Sequence, residues 1–268
     1  LLRWNPTWSG LATRATSQGW LWGCDGAFCL GMPSPPVSRL ILAATFAAGP
    51  LWAHPAAGDV DQDSVAWAAW VAQGDLSFID PDWTRGRFLF DAQLRWREDI
   101  STHEMSLLRP GVGYALSDRW TAHLGYAWIQ TYPDSGIRLE HRPWEQLQWR
   151  DALGAWTGIS RSRLEQRFFE GEDDVGNRFR QMFRGTRPLV GPPSPYLALS
   201  DELFFDLDDT SWGQRTGMRQ NRAFAGLGWF LDERRQIAIE VGYLNQWLDR
   251  PGSDRMNHVL AVTLFTNF

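Results

Sequence analysis

The stretch HVLAVTLFTNF, His258 to Phe268, decides how the rest of the chain is read. Leu260, Val262, Leu264 and Phe268 share one parity, broken only by Thr266, so a period-two apolar stripe runs to a terminal aromatic residue. Two architectures can finish on such a strand. One is a soluble β domain whose last strand closes its core. The other is an outer-membrane barrel, whose closing strand presents a lipid-facing stripe. Termini of soluble domains tend to fray into polar residues, so the remainder of the sequence has to choose between them.

Working back from that strand, the chain divides into alternating segments separated by turn residues, and no stretch sustains a 3.6-residue period. It reads as all-β. In 236–248 the apolar face is Ile237, Ile239, Val241, Tyr243 and Trp247, set against Gln236, Glu240, Gly242 and Gln246. In 221–231 Ala223, Ala225, Leu227, Trp229 and Leu231 oppose Arg222, Phe224, Gly226 and Gly228. In 120–132 the apolar face is Trp120, Ala122, Leu124, Tyr126 and Trp128. In 86–98 Phe88, Phe90, Ala92, Leu94 and Trp96 oppose Arg87, Asp91, Gln93, Arg95 and Arg97. Further strands fit at 65–78, 104–116, 139–149, 157–170, 177–190, 197–208 and 257–268.

These segments are long enough to cross a hydrocarbon layer when tilted, which takes roughly 9–11 residues. Their polar faces carry arginines interleaved with carboxylates, unlike the water-facing side of a β-sandwich. The connectors 117–119 and 232–235 are short and 209–220 and 249–256 longer, which is the habit of a barrel with turns at one end and loops at the other. The expected fold is a closed antiparallel transmembrane β-barrel over residues 65–268. Bacterial single-chain barrels favour even numbers, so about twelve strands are expected, within roughly ten to fourteen. The twelfth strand is expected in 58–84, where Gly74 and Pro81 blur the pattern.

The front end bears on compartment. Met32 opens MPSPPVSRLILAATFAAGPLWA, in which Arg39 is followed by an apolar run from Leu40 to about Pro50 and by Leu51-Trp52-Ala53. This reads as a signal peptide over 32–53. Residues 1–31 have no coherent period and are expected to be an upstream extension from a misplaced start. Residues 54–64 then form a short segment ahead of the barrel. Both cysteines, Cys24 and Cys29, precede Met32, so the expected mature chain has no disulfide, thiolate metal site or cysteine nucleophile.

Composition agrees with one domain and excludes a general nucleic-acid footprint, because the net charge is −5. There is no lysine, so every side-chain ammonium-type charge is replaced by a guanidinium. Seventeen tryptophans suit a protein with two membrane–water interfaces.

A resemblance strengthens the reading. RPGVGY (109–114), EHRPWEQ (140–146), RSRLEQRF (161–168), NRFRQMFR (177–184), DELFF (201–205), NRAFAGLGW (221–229), GYLNQW (242–247) and NHVL (257–260) follow one another in an order that resembles a family of bacterial outer-membrane barrels described only as a domain of unknown function. The resemblance implies the fold and an outer-membrane location. It implies no activity.

With the apolar parity facing lipid, the lumen is expected to hold Arg95, Arg109, Glu140, Arg142, Arg163, Glu165, Arg167, Arg178, Arg180, Glu202, Arg222 and Glu240, together with Arg87, Asp91, Arg97, Arg161, Arg184 and Asp206. Two uses compete. Guanidinium–carboxylate forks can fill a narrow barrel as structure, or unpaired guanidiniums can line a passage for small anions. Removing Glu165 should therefore matter, whereas removing Asp249, in a connector, should not. Phe268 is the expected recognition end for barrel-assembly machinery, and outer-membrane lipids and anionic solutes are the other expected partners. A closed-lumen assembly partner is a further alternative.

An outer-membrane enzyme acting on a lipid or envelope substrate is the other alternative, and its chemistry is weakly signalled. His54, His103, His123, His141 and His258 follow the expected leader, with His103, His141 and His258 near strand ends, but no G-x-S-x-G or H-E-x-x-H accompanies them. A catalytic histidine would need a serine or carboxylate within hydrogen-bond reach. No motif for a metal or other cofactor is present.

Overall fold

The computed structural model describes residues 60–190 and 195–268. The expected leader and upstream extension lie outside the described residues. Each alternating segment forms a strand: β1 (Asp61–Asp75), β2 (Gly86–Arg97), β3 (Thr102–Ala115), β4 (Trp120–Thr131), β5 (Arg138–Leu153), β6 (Trp156–Phe169), β7 (Val175–Pro188), β8 (Tyr196–Asp206), β9 (Gly217–Phe230), β10 (Ile237–Leu248) and β11 (Arg255–Asn267). Every strand pairs with its sequence neighbour, and β1 pairs with β11, so the sheet closes on itself.

The count is eleven, not twelve, and inside the expected range. No second strand forms in the described part of 58–84, because β1 takes Asp61–Asp75 and the chain then turns through hydrogen bonds of Leu76 N to Gly86 O (3.1 Å) and Trp83 N to Asp80 O (2.9 Å). An odd count has a geometric consequence. In an up-and-down sheet of eleven strands the first and last run the same way, so the closing seam is parallel, from Asp61↔Arg255 to Gln73↔Asn267. Parallel ladders are slightly weaker per residue, and side chains reinforce this one. Gln73 Nε2 donates to Asn267 Oδ1 (3.0 Å), Trp70 Nε1 to Thr266 Oγ1 (3.1 Å), and Arg255 pairs with Asp63.

The expected contrast in connector length does not hold. The end of the barrel that carries Phe268 has connectors 76–85, 116–119, 154–155, 189–195 and 231–236, and the other end has 98–101, 132–137, 170–174, 207–216 and 249–254. Long and short connectors occur at both ends. The four connectors singled out from the sequence give a sharper contrast than the whole set does, because they leave out two of the longer ones at the Phe268 end, 76–85 and 189–195.

The two faces separate as the alternation predicts. Leu124, Val112 and Leu260 point outward and are 62%, 61% and 52% exposed, while charged side chains of the opposite parity are buried inside. Inward aromatics fill the wall where it lacks side chains. The Trp144 indole lies over Gly111 and Gly125, where a Cβ would fall 2.6 Å from its Cη2 and 2.5 Å from its Cε2 respectively. One irregularity matters later. At the β2–β3 pairing the register shifts between Arg95 and Trp96, so that Arg95 faces Met105 but Trp96 faces His103, leaving Glu104 as an extra residue in β3.

Candidate functional site

Alternation along β6 places Arg161, Arg163, Glu165 and Arg167 on one pleat face, and the same parity on β5, β7 and β8 supplies Glu140, Arg142, Arg178, Arg180 and Glu202. Neighbouring strands lie about 4.8 Å apart, which brings long side chains together across the ladder. Glu165 is wholly buried at the centre. It accepts from Arg142 Nη1 (3.0 Å) and Arg180 Nη1 (2.6 Å), with Arg163 Nη1 3.7 Å away.

Around it the network spreads over the wall. Glu140 accepts from Arg142 Nη2 (2.7 Å) and Arg167 Nε (2.7 Å), and Glu202 accepts from Arg161 Nη2 (2.7 Å) and Arg180 Nη2 (2.8 Å). Arg178 forks onto Asp206 at 2.6 and 3.2 Å. Arg109 pairs with Asp91, and Arg184 with Glu240, which also accepts from the Tyr196 hydroxyl at 2.9 Å. Such forks fix the geometry as well as the charge of each partner.

Not every guanidinium hydrogen-bonds to a carboxylate. Arg163 donates twice to the Gln146 amide oxygen, at 3.0 and 2.6 Å, and lies over Trp144. Arg95 donates to Gln93 Oε1 (2.7 Å) and stacks 3.8 Å from the Trp67 ring centroid. Arg222 stands 4.7 Å from Trp67 and 4.6 Å from Phe204, and the Gln220 amide, turned so that both its ends are satisfied, accepts from it at 2.8 Å. These rings provide the quadrupole that a stacked cation favours.

A cavity of about 1560 Å³ lies inside the barrel. Of the twelve expected network residues, Arg95, Arg109, Glu140, Arg142, Arg163, Arg167, Arg178, Arg180, Glu202, Arg222 and Glu240 line it, and Glu165 lies behind Arg180 and Arg142. Toward the Phe268 end the wall adds Arg85, Arg87, Arg119, Arg150 and Arg235. At the other end the 207–216 connector folds over the rim. There Trp212 packs on Phe169 (4.6 Å between centroids), and the buried Gln214 donates to Asp208 Oδ1 (2.6 Å) while accepting from Arg167 Nη1 (3.2 Å).

Arg97, expected in the lumen, sits instead at the rim, where it pairs with Glu98 and Asp134 (2.7 Å) just beyond the register shift. Sequence reading missed Trp67, Phe204, Gln146 and Gln220 as parts of the site. The parity of the last three was legible, but β1 reads AWAAWV from Ala66, apolar on both faces, so nothing marked Trp67 as inward.

The histidines divide by face. His123 is inward, 3.5 Å from the Gln146 amide. His141 meets Tyr126 and Glu170 (3.2 Å), His258 meets Tyr243 (2.7 Å), and His103 meets Ser106 (3.0 Å), all on the outer wall. His54 lies outside the described residues. Among the described residues no group of three or more His, Cys, Asp or Glu is arranged to hold a metal.

No solved structure matches this chain. An uncharacterized protein of Methylorubrum extorquens is 33% identical over 187 residues, which covers 68% of this chain and 80% of that protein. Residues 65–257, nearly the whole barrel, match the family model described as "Protein of unknown function (DUF2490)". With most of β1, all of β2 to β10 and the start of β11 inside that match, the closed barrel with its charged interior belongs to the DUF2490 family.

Proposed function

We propose that this chain is an integral outer-membrane β-barrel whose arginine-rich lumen is crossed at mid-height by a structural ion network and leaves a narrow route for small anions. One observation carries the reading: large apolar side chains stand exposed around the outside while charged ones are buried inside, the reverse of a soluble protein. In water such a belt would be costly, at roughly 25 cal/mol per Å² of apolar surface. Against hydrocarbon it costs nothing. Aromatic residues fall toward both ends of the strands, with Tyr114, Trp120 and Trp229 near one and Trp96, Tyr132 and Trp247 near the other, as interfacial girdles do. Phe268 is then the end offered to the barrel-assembly machinery, and lipid is the outer partner.

Anion preference follows from the excess of guanidiniums over carboxylates along the cavity, which repels cations and concentrates negative solutes. A second reading has its own support. Arg163 and Glu165 are 1% and 0% exposed, so the centre of the lumen is packed, as a closed structural or assembly-partner barrel requires. Planar-bilayer recording separates the two. The passage reading expects small steps with a reversal potential favouring anions, and the absence of steps leaves the closed barrel. Recovery of the folded chain as a soluble periplasmic species, instead of a heat-modifiable outer-membrane band, would overturn both.

A further inference from the structure

We propose that the outer wall carries an ester-hydrolysing site in which Ser106 is the nucleophile and His103 its general base, acting on the acyl ester of a membrane glycerophospholipid. The proposal rests on the outer-membrane reading above but not on the lumen. In an unbroken β3 these two residues, three apart, would face opposite sides. Met105, Leu107 and Arg109 face the cavity, so simple parity sends His103 inward as well. The bulge at Glu104 reverses this. His103 then pairs with outward Trp96, Ser106 pairs with outward Leu94, and His103 Nε2 stands 3.0 Å from Ser106 Oγ. Bulges gather beside active sites because they re-aim side chains in this way.

The surroundings suit the chemistry. The imidazole is held between Trp96 (5.8 Å between centroids, edge-on) and Tyr132 (4.7 Å), which limits its rotation. Gln130 lies directly opposite Ser106 in the β3–β4 register and shares its outer face, and its amide has no hydrogen-bond partner among the described residues. That places an amide donor beside the position where a carbonyl oxygen attacked by Ser106 would gain charge. Below the pair the wall is apolar, with Leu94 and Leu108 exposed, and above it lie Ser101, Glu98, Arg97 and Asp134. An ester joining acyl chains to a polar headgroup sits at that boundary.

The reaction balances with water alone. With the Nε2 lone pair facing Ser106, the hydroxyl gives its proton to His103 as Oγ bonds to the acyl carbon. The ester C–O bond breaks, and His103 returns the proton to the leaving glycerol oxygen. Water then gives a proton to His103 while its oxygen attacks the acyl-serine carbon. The C–Oγ bond breaks, Ser106 regains its proton, and a fatty acid leaves.

The test uses the purified, heat-modifiable barrel in mixed micelles with radiolabelled diacyl phosphatidylethanolamine, so it requires neither a pore nor a known location. Fatty acid and lysolipid should appear in equal amounts. Release should fall at least about 100-fold in Ser106→Ala and in His103→Ala, and by a similar order in Gln130→Ala, whereas His258→Gln should retain it. A fluorophosphonate probe should label Ser106 in the wild type and not in Ser106→Ala. No release by the folded wild type, release that survives Ser106→Ala in the folded variant, or cleavage of a soluble short-chain ester without cleavage of the phospholipid would each overturn the proposal. None of these outcomes bears on membrane fractionation or conductance, which test the barrel reading separately.

Discussion

Arg180 reaches Glu165 diagonally: in the β6–β7 register Arg180 faces Arg163 and Glu165 faces Arg178, yet Arg180 Nη1 lies 2.6 Å from Glu165 Oε1. The directly opposed Arg163 and Arg180 are like charges, and the diagonal carboxylate offsets their repulsion. Glu165 thereby serves Arg142 and Arg180 at once and screens Arg163.

Removing that carboxylate leaves buried guanidiniums without their shared acceptor, which costs on the order of 3–5 kcal/mol. Glu165→Ala should therefore lower the temperature at which the compact, heat-modifiable form is lost. Asp249, expected from the sequence to be an inert comparison, is not one. It pairs with Arg219, whose Nη2 also donates to the Asp249 carbonyl at 3.2 Å. Glu233, exposed in the 231–236 connector, is the better comparison, and Glu233→Ala should leave the transition unchanged.

The Trp144–glycine contact gives a second stability prediction. A Cβ on Gly125 would lie 2.5 Å from both Trp144 Cε2 and the Pro110 carbonyl oxygen, and backbone cannot give way as a flexible side chain can. Gly125→Ala should destabilise the barrel by about 1–3 kcal/mol through overpacking. The melting of detergent-folded protein, followed by near-ultraviolet circular dichroism, measures it. An unchanged transition would mean that the wall relaxes there.

Which residues face inward was legible because alternation is local: one parity of β6 gives Arg161, Arg163, Glu165 and Arg167 without knowledge of any other strand. Who bonds to whom was not, since Glu165 meeting Arg180 depends on stagger between strands. Bulges defeat parity where they occur. The shift at Arg95/Trp96 carries His103 outward and separates rim Arg97 from lumen Arg95. The twelfth strand expected in 58–84 does not form in the described part of that stretch, because its apolar residues lack alternation and a turn built from Leu76 to Gly86 takes its place.

Phe268 supplies the third prediction, which follows from the assembly role proposed for it. Its N–H donates to Gln73 O at 2.9 Å, and its ring packs 5.7 Å from Phe88, so it joins β11 to both β1 and β2. Deleting it should cut the yield of heat-modifiable barrel sharply, while Phe268→Tyr, which keeps the ring, should restore most of it. Normal yield from the deletion would count against a terminal assembly signal.

Acid should loosen the 207–216 connector before the strands. The Ser211 N–H donates to Asp174 Oδ2 (2.6 Å) and holds that carboxyl below its usual range, and the Thr216 N–H does the same to Asp209 through Oδ1 (2.6 Å). A carboxylate whose folded-state pKa is lowered contributes stability above its unfolded value, about 3.9, and that contribution is lost as pH falls through the lowered value. Exchange at the Ser211 and Thr216 amides, corrected for intrinsic rates, should therefore be slow at about pH 5 and accelerate below about pH 3.9. Equal protection at both pH values would show that these capping bonds do not hold the connector.

The lumen arginines should divide into two functional groups. Arg180 bonds to both Glu165 and Glu202, so Arg180→Gln should act mainly on stability. Arg95 and Arg222 have no carboxylate within salt-bridge distance among the described residues and rest on Trp67 and Phe204 instead. A cation that no carboxylate neutralises contributes most to the field felt by a passing solute. Arg95→Gln and Arg222→Gln should thus lower the heat-modifiable transition less than Arg180→Gln does, because they leave no buried carboxylate without its partner. In planar bilayers the same two variants should move the reversal potential away from anion preference. If Arg180→Gln shifts selectivity while Arg95→Gln and Arg222→Gln do not, solutes pass by a route other than the one these two stacked guanidiniums border.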